Sequence, residues 1–293
     1  MKKLLSLLMV CAMVLALAAC GNNSEPQETP ANSPAGENTG SPAPAESPEA
    51  EPVELIVFAA ASMTETLTEI SDLYAQAAPH VTLTFNFDSS GKLVDQIEAG
   101  ADCDIFISAA QKQMNEIDGS LGTDVNPDGY DFVLQGTRLD LLENKVALAV
   151  PEGNPAGIES FEDLFTDKLS LLAIGNSDVP VGQYTLEIFE SFGTSEEELA
   201  SQGKLTYGGN VKEVTTQVKE AAVDAGIIYQ TDAFSDGLTV VATATSDMCG
   251  QVIYPAAVLN TTSNEDEARA FLEYLQGDEA MGVFESVGFS PAG

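Results

Sequence analysis

Short apolar runs alternate with amphipathic stretches along most of the chain. Residues 55–58 form a continuous apolar run that is typical of a strand covered on both faces. The apolar residues that follow it recur at helical spacing: Met63, Leu67, Ile70 and Tyr74. Further strands are predicted at 81–87, 104–108, 145–150, 169–174, 225–229 and 238–243. This alternation of strands and helices predicts an α/β protein with mainly parallel sheets.

Two short patterns mark predicted helix starts. Ser62 stands where an N-cap is expected, and Glu65 three residues later completes an S-x-x-E capping box. Asn210 and Glu213 form the related N-x-x-E pattern further along the chain. A helix that starts at the end of a parallel strand presents free N–H groups and a positive dipole end, which favour an anion. Taken alone, however, Ser62 is interpreted as a simple cap.

The first 52 residues read as targeting and linking segments rather than as part of the fold. Residues 1–19 combine a basic start with an apolar run that leads to Cys20, which predicts a lipoprotein signal peptide with Cys20 as the lipid anchor. A membrane-spanning helix is the alternative, but the apolar run is short for that role. Residues 20–52 are rich in Pro and Glu and contain no aromatic or basic residue, which predicts a disordered tether.

The remaining 53–293 segment is long for a single core and suits two lobes. We place the crossings between the lobes near 142–145 and 246–254. This assigns 53–142 and 251–293 to lobe 1 and 143–250 to lobe 2. The Gly-, Asp- and Asn-rich stretch 118–142 is predicted to be a loop with a short helix, and it has no functional interpretation.

The charge of the chain excludes some partners. A formal net charge of −35 argues against nucleic acid, whose binding requires a basic face, and against adhesion to anionic lipid. An anion would therefore have to be held by local neutral donors, such as hydroxyls, backbone N–H groups and helix termini.

The cysteines and the single histidine offer little catalytic or metal chemistry. Cys103 and Cys249 could form a disulfide in an oxidising compartment, and the sequence leaves this open. His80 follows a proline in a turn and is interpreted as a solvated loop residue. One histidine and scattered cysteines do not support a zinc site. A secreted hydrolase with Ser62 as nucleophile stays a weak alternative, because no G-x-S-x-G elbow surrounds it.

Several short stretches place hydroxyls and helix starts where strand ends could converge. They are Ser62, residues 89–91, residues 179–182, residues 210–211 and Tyr229. Ligands of open α/β sheets bind beyond the carboxyl ends of the strands, and two lobes can share such a cleft.

In these and neighbouring stretches the chain resembles a known family, the extracytoplasmic molybdate-binding proteins of the molybdate ABC importer. The similarity covers about residues 53–290 and rests on seven stretches in the same order. They are VFAAASMT (57–64), FDSSGKL (87–93), QIEAGA (96–101), DIFISA (104–109), VPVG (179–182), GIIY (226–229) and YPAAV (254–258). The resemblance implies a type II periplasmic-binding-protein fold, with two α/β lobes of mainly parallel sheets, flanking helices and two hinge crossovers.

The resemblance also implies a ligand, a site and partners. Molybdate, or tungstate as a near-equal, is expected as bound ligand, with no cofactor, no catalysis and no direct ligation of the metal. The implied donors are the hydroxyls of Ser62, Ser90 and Tyr229 and the backbone N–H groups of Val181 and Val211. The expected partners are an ABC permease and its ATPase subunits. We expect a monomer on the outer face of a bacterial cell membrane, attached only through its lipid.

This sequence departs from the family pattern in three places: Val181, Asp88 and the loop 118–142, which is longer than the pattern needs. Val181 stands where alanine is usual, which a backbone donor tolerates. Asp88 stands where a small neutral residue is usual, and a carboxylate facing the cleft would repel molybdate and accept a proton from phosphate. Strand alternation predicts that Asp88 faces solvent. Sulfate and phosphate are kept as alternative ligands.

Overall fold

The structure, a computed structural model, describes residues 51–293 of the 293-residue chain. The predicted signal peptide 1–19, the anchor Cys20 and all but the last two residues of the tether lie outside the described part. Within residues 51–293, no helix is both long enough and apolar enough to cross a membrane.

Strands and helices alternate as the apolar pattern predicts. The strands are β1 (Val53–Ala60), β2 (Val81–Asp88), β3 (Ile105–Ile107), β4 (Leu139–Asn144), β5 (Val146–Val150), β6 (Leu172–Gly175), β7 (Leu205–Gly208), β8 (Ala225–Tyr229), β9 (Thr239–Thr243), β10 (Val252–Val258) and β11 (Ser290–Pro291). The helices are α1 (Thr64–Ala77), α2 (Ser90–Glu98), α3 (Gln111–Glu116), α4 (Pro180–Ser191), α5 (Glu196–Ser201), α6 (Val211–Lys219), α7 (Gln230–Ser235), α8 (Ser246–Cys249), α9 (Glu265–Tyr274) and α10 (Asp278–Ser286). Short 3₁₀ turns occupy Ala61–Met63 and Phe161–Phe165.

The strands form two sheets. One has the order β11-β4-β10-β3-β1-β2, and the other has the order β7-β6-β8-β5-β9. We call the first sheet, with α1, α2, α3, α9 and α10 around it, the first lobe, and the second sheet, with α4, α6, α7 and α8, the second lobe.

Each sheet has a parallel part and an antiparallel part, so the expectation of mainly parallel sheets was too simple. In the first lobe β1 pairs in parallel with β2 and β3, but β10 runs antiparallel to β3 and β4. In the second lobe β6 pairs in parallel with β7 and β8, but β5 runs antiparallel to β8 and β9. The reversed strands β5 and β10 are each the first strand after a crossing between the sheets, and the terminal strand β11 is also antiparallel to its neighbour β4.

The first strand is buried on both faces, as its continuous apolar run predicts. Leu55 and Val57 belong to the large core cluster that also contains the inner face of α1. Phe58 points the other way, into a second cluster with Leu93 and Phe106. Each fully buried side chain of this size contributes on the order of 1.5–3 kcal/mol to folding. The strand end is thus held rigidly at the point where Ser62 follows.

The chain passes between the lobes at two places. Lys145 alone separates β4 in the first lobe from β5 in the second, and residues 244–251 join β9 to β10. The predicted loop 118–142 is wrong at its end, because its last four residues belong to β4. The partner that makes them a strand is β10, where Leu142 pairs with Tyr254. Such long-range pairing leaves no local sequence pattern.

The suggested disulfide is not formed. Cys103 and Cys249 are both free and buried. Cys103 packs in the cluster around Phe58, whereas Cys249 ends α8, which packs against α4 in the second lobe. The two cysteines thus lie in different lobes. Burial raises the pKa of both thiols, to about 11 for Cys249, so both remain protonated.

Candidate anion-binding site

The end of β1 leads into the 3₁₀ turn rather than directly into a helix. Ser62 lies inside this turn and makes no capping hydrogen bond, so the predicted capping box is wrong. Its Oγ lies instead 2.9 Å from the hydroxyl oxygen of Tyr254. Glu65, the other half of the predicted box, binds Lys212 of the second lobe. Glu65 therefore contacts the second lobe, whereas Ser62 contacts Tyr254 within the first lobe.

A buried polar chain supports the Ser62 hydroxyl. Asn144 Nδ2 donates to the Tyr254 hydroxyl over 3.2 Å and to Thr231 Oγ1 over 2.9 Å. The Tyr254 hydroxyl can accept from Asn144 and donate to Ser62. In that arrangement the proton of Ser62 is left for a ligand.

Ser90 is held in a comparable way at the start of α2. Ser89 is the N-cap, and its side chain accepts a hydrogen bond from the Lys92 N–H. Ser90 is fully buried, and its Oγ accepts from the Ala109 N–H over 3.0 Å. With an acceptor position of the oxygen already used, the hydroxyl proton of Ser90 is available to a ligand.

Tyr229 is the corresponding hydroxyl of the second lobe, at the end of β8. Its side chain is 1% exposed, and its oxygen has no hydrogen-bond partner among residues 51–293. Burial, followed by the nearby Tyr254, raises the pKa of Tyr229 well above its usual value. The phenol is therefore a permanent donor, and an unpaired buried donor of this kind costs about 1–3 kcal/mol unless a ligand accepts its proton.

Two helix starts of the second lobe face the same region. Val211 is the first residue of α6, and Asn210 caps this helix by accepting from the Glu213 N–H over 3.0 Å. Val181 is the second residue of α4, after Pro180. The first N–H groups of a helix have no acceptor within the helix, so these backbone groups are available as donors.

A small cavity brings most of these groups together. It lies between the two lobes and is narrow, with a free volume of about 10 Å³. Four of the five predicted site residues line it: Ser62, Ser90, Val211 and Tyr229. Val181 does not, although its neighbours Val179 and Pro180 do, and the Val181 side chain is fully buried.

Asp88 also lines this cavity, which corrects the expectation that it faces solvent. Its Oδ1 accepts from the Ser89 N–H over 2.8 Å, from Lys92 Nζ over 3.3 Å and from Asn210 Nδ2 over 3.3 Å. Strand alternation failed here because Asp88 is the last residue of β2, where the chain turns toward α2. Three donors on one oxygen, one of them charged, compensate the carboxylate.

The lobes approach each other very closely beside this cavity. A Cβ added to Gly91 at the start of α2 would overlap the backbone oxygen of Asp178 in the second lobe. Glycine is therefore required at this position for the observed arrangement.

A wider groove next to the cavity does not suit an anion. It is lined by acidic side chains that include Asp95, Glu98 and Asp128. Burial and the neighbouring carboxylates raise the pKa of Glu98, which shows that this groove disfavours additional negative charge.

Sequence reasoning missed the residues that support the donors. Tyr254 lies in a stretch that carried the family resemblance, but its hydroxyl could not be placed next to Ser62, 192 positions away. Asn144 and Lys212 carried no motif at all. Asn144 and Lys212 both make contacts between the lobes. The sequence offered only one local sign of these contacts, a polar residue within or next to a buried strand or helix.

The geometry of two lobes around a cavity of neutral donors agrees with the comparison to known proteins. Residues 55–290 match the family model described as bacterial extracellular solute-binding protein. The chain belongs to this family. A solute-binding protein binds its ligand without chemical change, so the prediction that the chain is not an enzyme is confirmed.

Individual relatives agree with this membership. A putative ABC transporter substrate-binding lipoprotein of Bacillus subtilis, YvgL, is 34% identical over 239 residues, which cover 81% of this chain and 86% of the relative. The molybdate-binding protein ModA of Haemophilus influenzae is 32% identical over 81% of this chain and 90% of its own length.

A solved structure shows the same fold. The substrate-binding domain of a putative molybdenum ABC transporter from Clostridium difficile superposes with a TM-score of 0.62 at 32% identity, over 82% of this chain and all of that domain. The predicted resemblance and the two-lobed α/β fold class are thereby confirmed for this solute-binding protein.

Proposed function

We propose that this solute-binding protein captures molybdate, with tungstate as a near-equal ligand, in the cavity between its lobes. The observation that carries the proposal is the Tyr229 hydroxyl, a buried donor without a protein partner that lines the cavity. Ser62, Ser90 and the Val211 N–H line the same space and can complete a cage of donors.

The chemistry of the donors suits a fully deprotonated tetrahedral dianion. Every oxygen of molybdate accepts hydrogen bonds and none donates, so a cage of hydroxyl and N–H donors matches it. Hydrogen bonds to an ionised partner are stronger than neutral ones. A cage without a lysine or arginine in contact also avoids the desolvation of a second charge.

Phosphate is the second candidate ligand, because Asp88 lines the cavity. Phosphate carries a proton at neutral pH and needs an acceptor, which a carboxylate can supply. The donors on Asp88 Oδ1, which include the Lys92 ammonium, offset the charge of the carboxylate and so reduce its repulsion of molybdate.

The cellular role follows from the targeting signals and the relatives. We place the protein outside the cytoplasm, anchored by a lipid on Cys20, where it delivers its ligand to an ABC permease with its ATPase subunits. The lipoprotein pattern of residues 1–20 supports the anchor. The similarity to YvgL, a putative ABC transporter substrate-binding lipoprotein, supports both the anchor and the transporter. Delivery would use closing and opening of the lobes about Lys145 and residues 244–251.

The test is a thermal-shift panel on the purified protein with molybdate, tungstate, sulfate and phosphate. A ligand at about 100 times its dissociation constant adds about 2.7 kcal/mol to the free energy of unfolding. A shift with molybdate and tungstate alone is expected. A shift with phosphate alone would replace the proposed ligand and make Asp88 the acceptor.

A further inference from the structure

The first turn of α6 touches the first lobe on both sides of Val211. Before it, Asn210 Nδ2 donates to Asp88 Oδ1 over 3.3 Å. After it, Lys212 Nζ donates to Glu65 Oε2 over 2.7 Å. Val211 lies between these two contacts and lines the cavity.

The Asn210 side chain is oriented by two different partners. Its Oδ1 accepts from the Glu213 N–H, which caps α6, so its Nδ2 must point elsewhere. The acceptor that Nδ2 meets, Asp88, also receives the Ser89 N–H immediately before Ser90. This contact therefore joins the helix start that carries Ser90 to the helix start that carries Val211.

Lys212 is anchored within its own lobe before it reaches across. Its Nζ lies 3.0 Å from Asp232 Oδ1 in α7, and Asp232 is fully buried. Neither oxygen of Asp232 has a well-formed hydrogen bond among residues 51–293, so the ammonium of Lys212 is its compensation. Burial raises the pKa of Asp232 to about 6 even beside this ammonium. An ammonium held in this way is pre-positioned to meet Glu65.

From these contacts we infer that Asn210 and Lys212 are positioning residues, which together hold the α6 N-terminus against the first lobe and thereby place the Val211 N–H in the anion cavity. The inference rests on the proposed function. It adds two contacts between α6 and the first lobe that the proposed ligand-binding residues do not make. Asn210, Lys212 and Glu65 do not line the cavity, so they stabilise the closed arrangement without touching the ligand, whereas Asp88 belongs to the cavity wall.

Solvent exposure limits how much the Lys212–Glu65 ion pair can contribute to anion affinity. The Glu65 side chain is 50% exposed and that of Lys212 is 24% exposed, so water and salt screen the pair. We expect loss of the pair to weaken anion binding about 1.5-fold to fivefold at low ionic strength.

The first experiment compares Glu65→Gln with Glu69→Gln. Glu69 is exposed one turn further along α1 and forms no ion pair among residues 51–293, so it is a matched control. Dissociation constants and dissociation rates for molybdate and tungstate are measured at about 50 mM and 1 M salt. Glu65→Gln should raise both quantities about 1.5-fold to fivefold at low salt. The difference should vanish at 1 M, where the Debye length is about 3 Å.

The second experiment separates capping from the contact with Asp88. Asn210→Ser keeps an N-cap but removes the Nδ2 donor, and Asn210→Asp keeps a cap but sets a carboxylate against Asp88. Anion affinity should fall in both variants, and further in Asn210→Asp. The thermal midpoint of the ligand-free protein should stay close to that of wild type in Asn210→Ser.

A measurement on the ligand-free protein tests the positioning role separately from the proposed ligand. Amide hydrogen exchange of residues 210–213 in the ligand-free protein should be faster in Glu65→Gln than in Glu69→Gln. Equal exchange together with equal anion affinity in these two variants would overturn the positioning role. If wild type binds neither molybdate nor tungstate, the proposed ligand is wrong, and the exchange comparison still decides the role of Lys212.

Discussion

The two lobes supply donors of different kinds to the same cavity. In the first lobe, the hydroxyls of Ser62 and Ser90 already contact protein partners, the Tyr254 hydroxyl and the Ala109 N–H. In the second lobe, the Tyr229 hydroxyl has no partner among residues 51–293, and Val211 offers a backbone N–H at a helix start. The first wall is therefore pre-organised, whereas the Tyr229 hydroxyl of the second wall lacks a protein acceptor, which the proposed anion would supply.

This difference predicts different consequences of substitution. A change in the first wall should lower both anion affinity and the stability of the ligand-free protein, because a buried polar group of the fold loses its partner. A change in the second wall should lower affinity alone. The predictions below use this contrast.

The largest effect is expected where the two walls must approach. Gly91→Ala places a methyl group against the backbone of Asp178, so the lobes cannot reach the observed distance. Anion affinity should fall more than about hundredfold, whereas each lobe should remain folded. Titration calorimetry measures the affinity, and circular dichroism measures the fold.

The control for this change is Gly282→Ala. Gly282 lies within α10, where an added Cβ meets no other atom within 4 Å. Alanine there should leave affinity unchanged and raise stability by about 0.5–1 kcal/mol. Unchanged affinity in Gly91→Ala would show that the observed approach of the lobes is not needed for binding.

Removal of the unpaired phenol should have the next largest effect. Tyr229→Phe deletes a donor to a charged ligand, for which a loss of about 1.5–3 kcal/mol corresponds to roughly tenfold to hundredfold in affinity. The stability of the ligand-free protein should stay the same or rise, since an unsatisfied buried group is removed. Tyr254→Phe is the contrasting control, because it breaks contacts with Ser62 and Asn144 and should lower stability.

A smaller effect is expected in the first wall. Ser62→Ala should weaken anion binding about tenfold and lower the free energy of unfolding by about 1 kcal/mol, because the Tyr254 hydroxyl loses a partner. Denaturant unfolding and calorimetry on the same preparation measure both quantities. A loss of stability with unchanged affinity would make Ser62 a structural residue only.

Treatment with a thiol reductant should have the smallest effect on stability, since each lobe contains one free cysteine and no disulfide joins the two. The thermal midpoint should be the same with and without a reductant. Burial raises the pKa of both thiols, so alkylation should require unfolding. A mobility shift on reduction would reveal a bond between Cys103 and Cys249 and would contradict the observed separation.

Local pattern predicted the elements well where burial is local. The apolar run 55–58 and the helical spacing of Met63, Leu67 and Ile70 correspond to β1 and α1, because each pattern reports one buried face. The cap at Asn210 was likewise predicted correctly, since capping involves only residues three positions apart. The segment 139–142 was missed because its strand partner lies more than a hundred positions away.

The sequence by itself determined the α/β architecture and the family. It also predicted five donors, of which Ser62, Ser90, Val211 and Tyr229 line the cavity and Val181 does not. Only the tertiary structure decided how those donors are held. It turned Ser62 from a cap into a partner of Tyr254, turned Asp88 toward Asn210, and set Lys212 between Glu65 and Asp232. The physical reason is that these contacts join residues of different helices, strands and turns, so their distance and burial depend on packing within each lobe and between the two lobes.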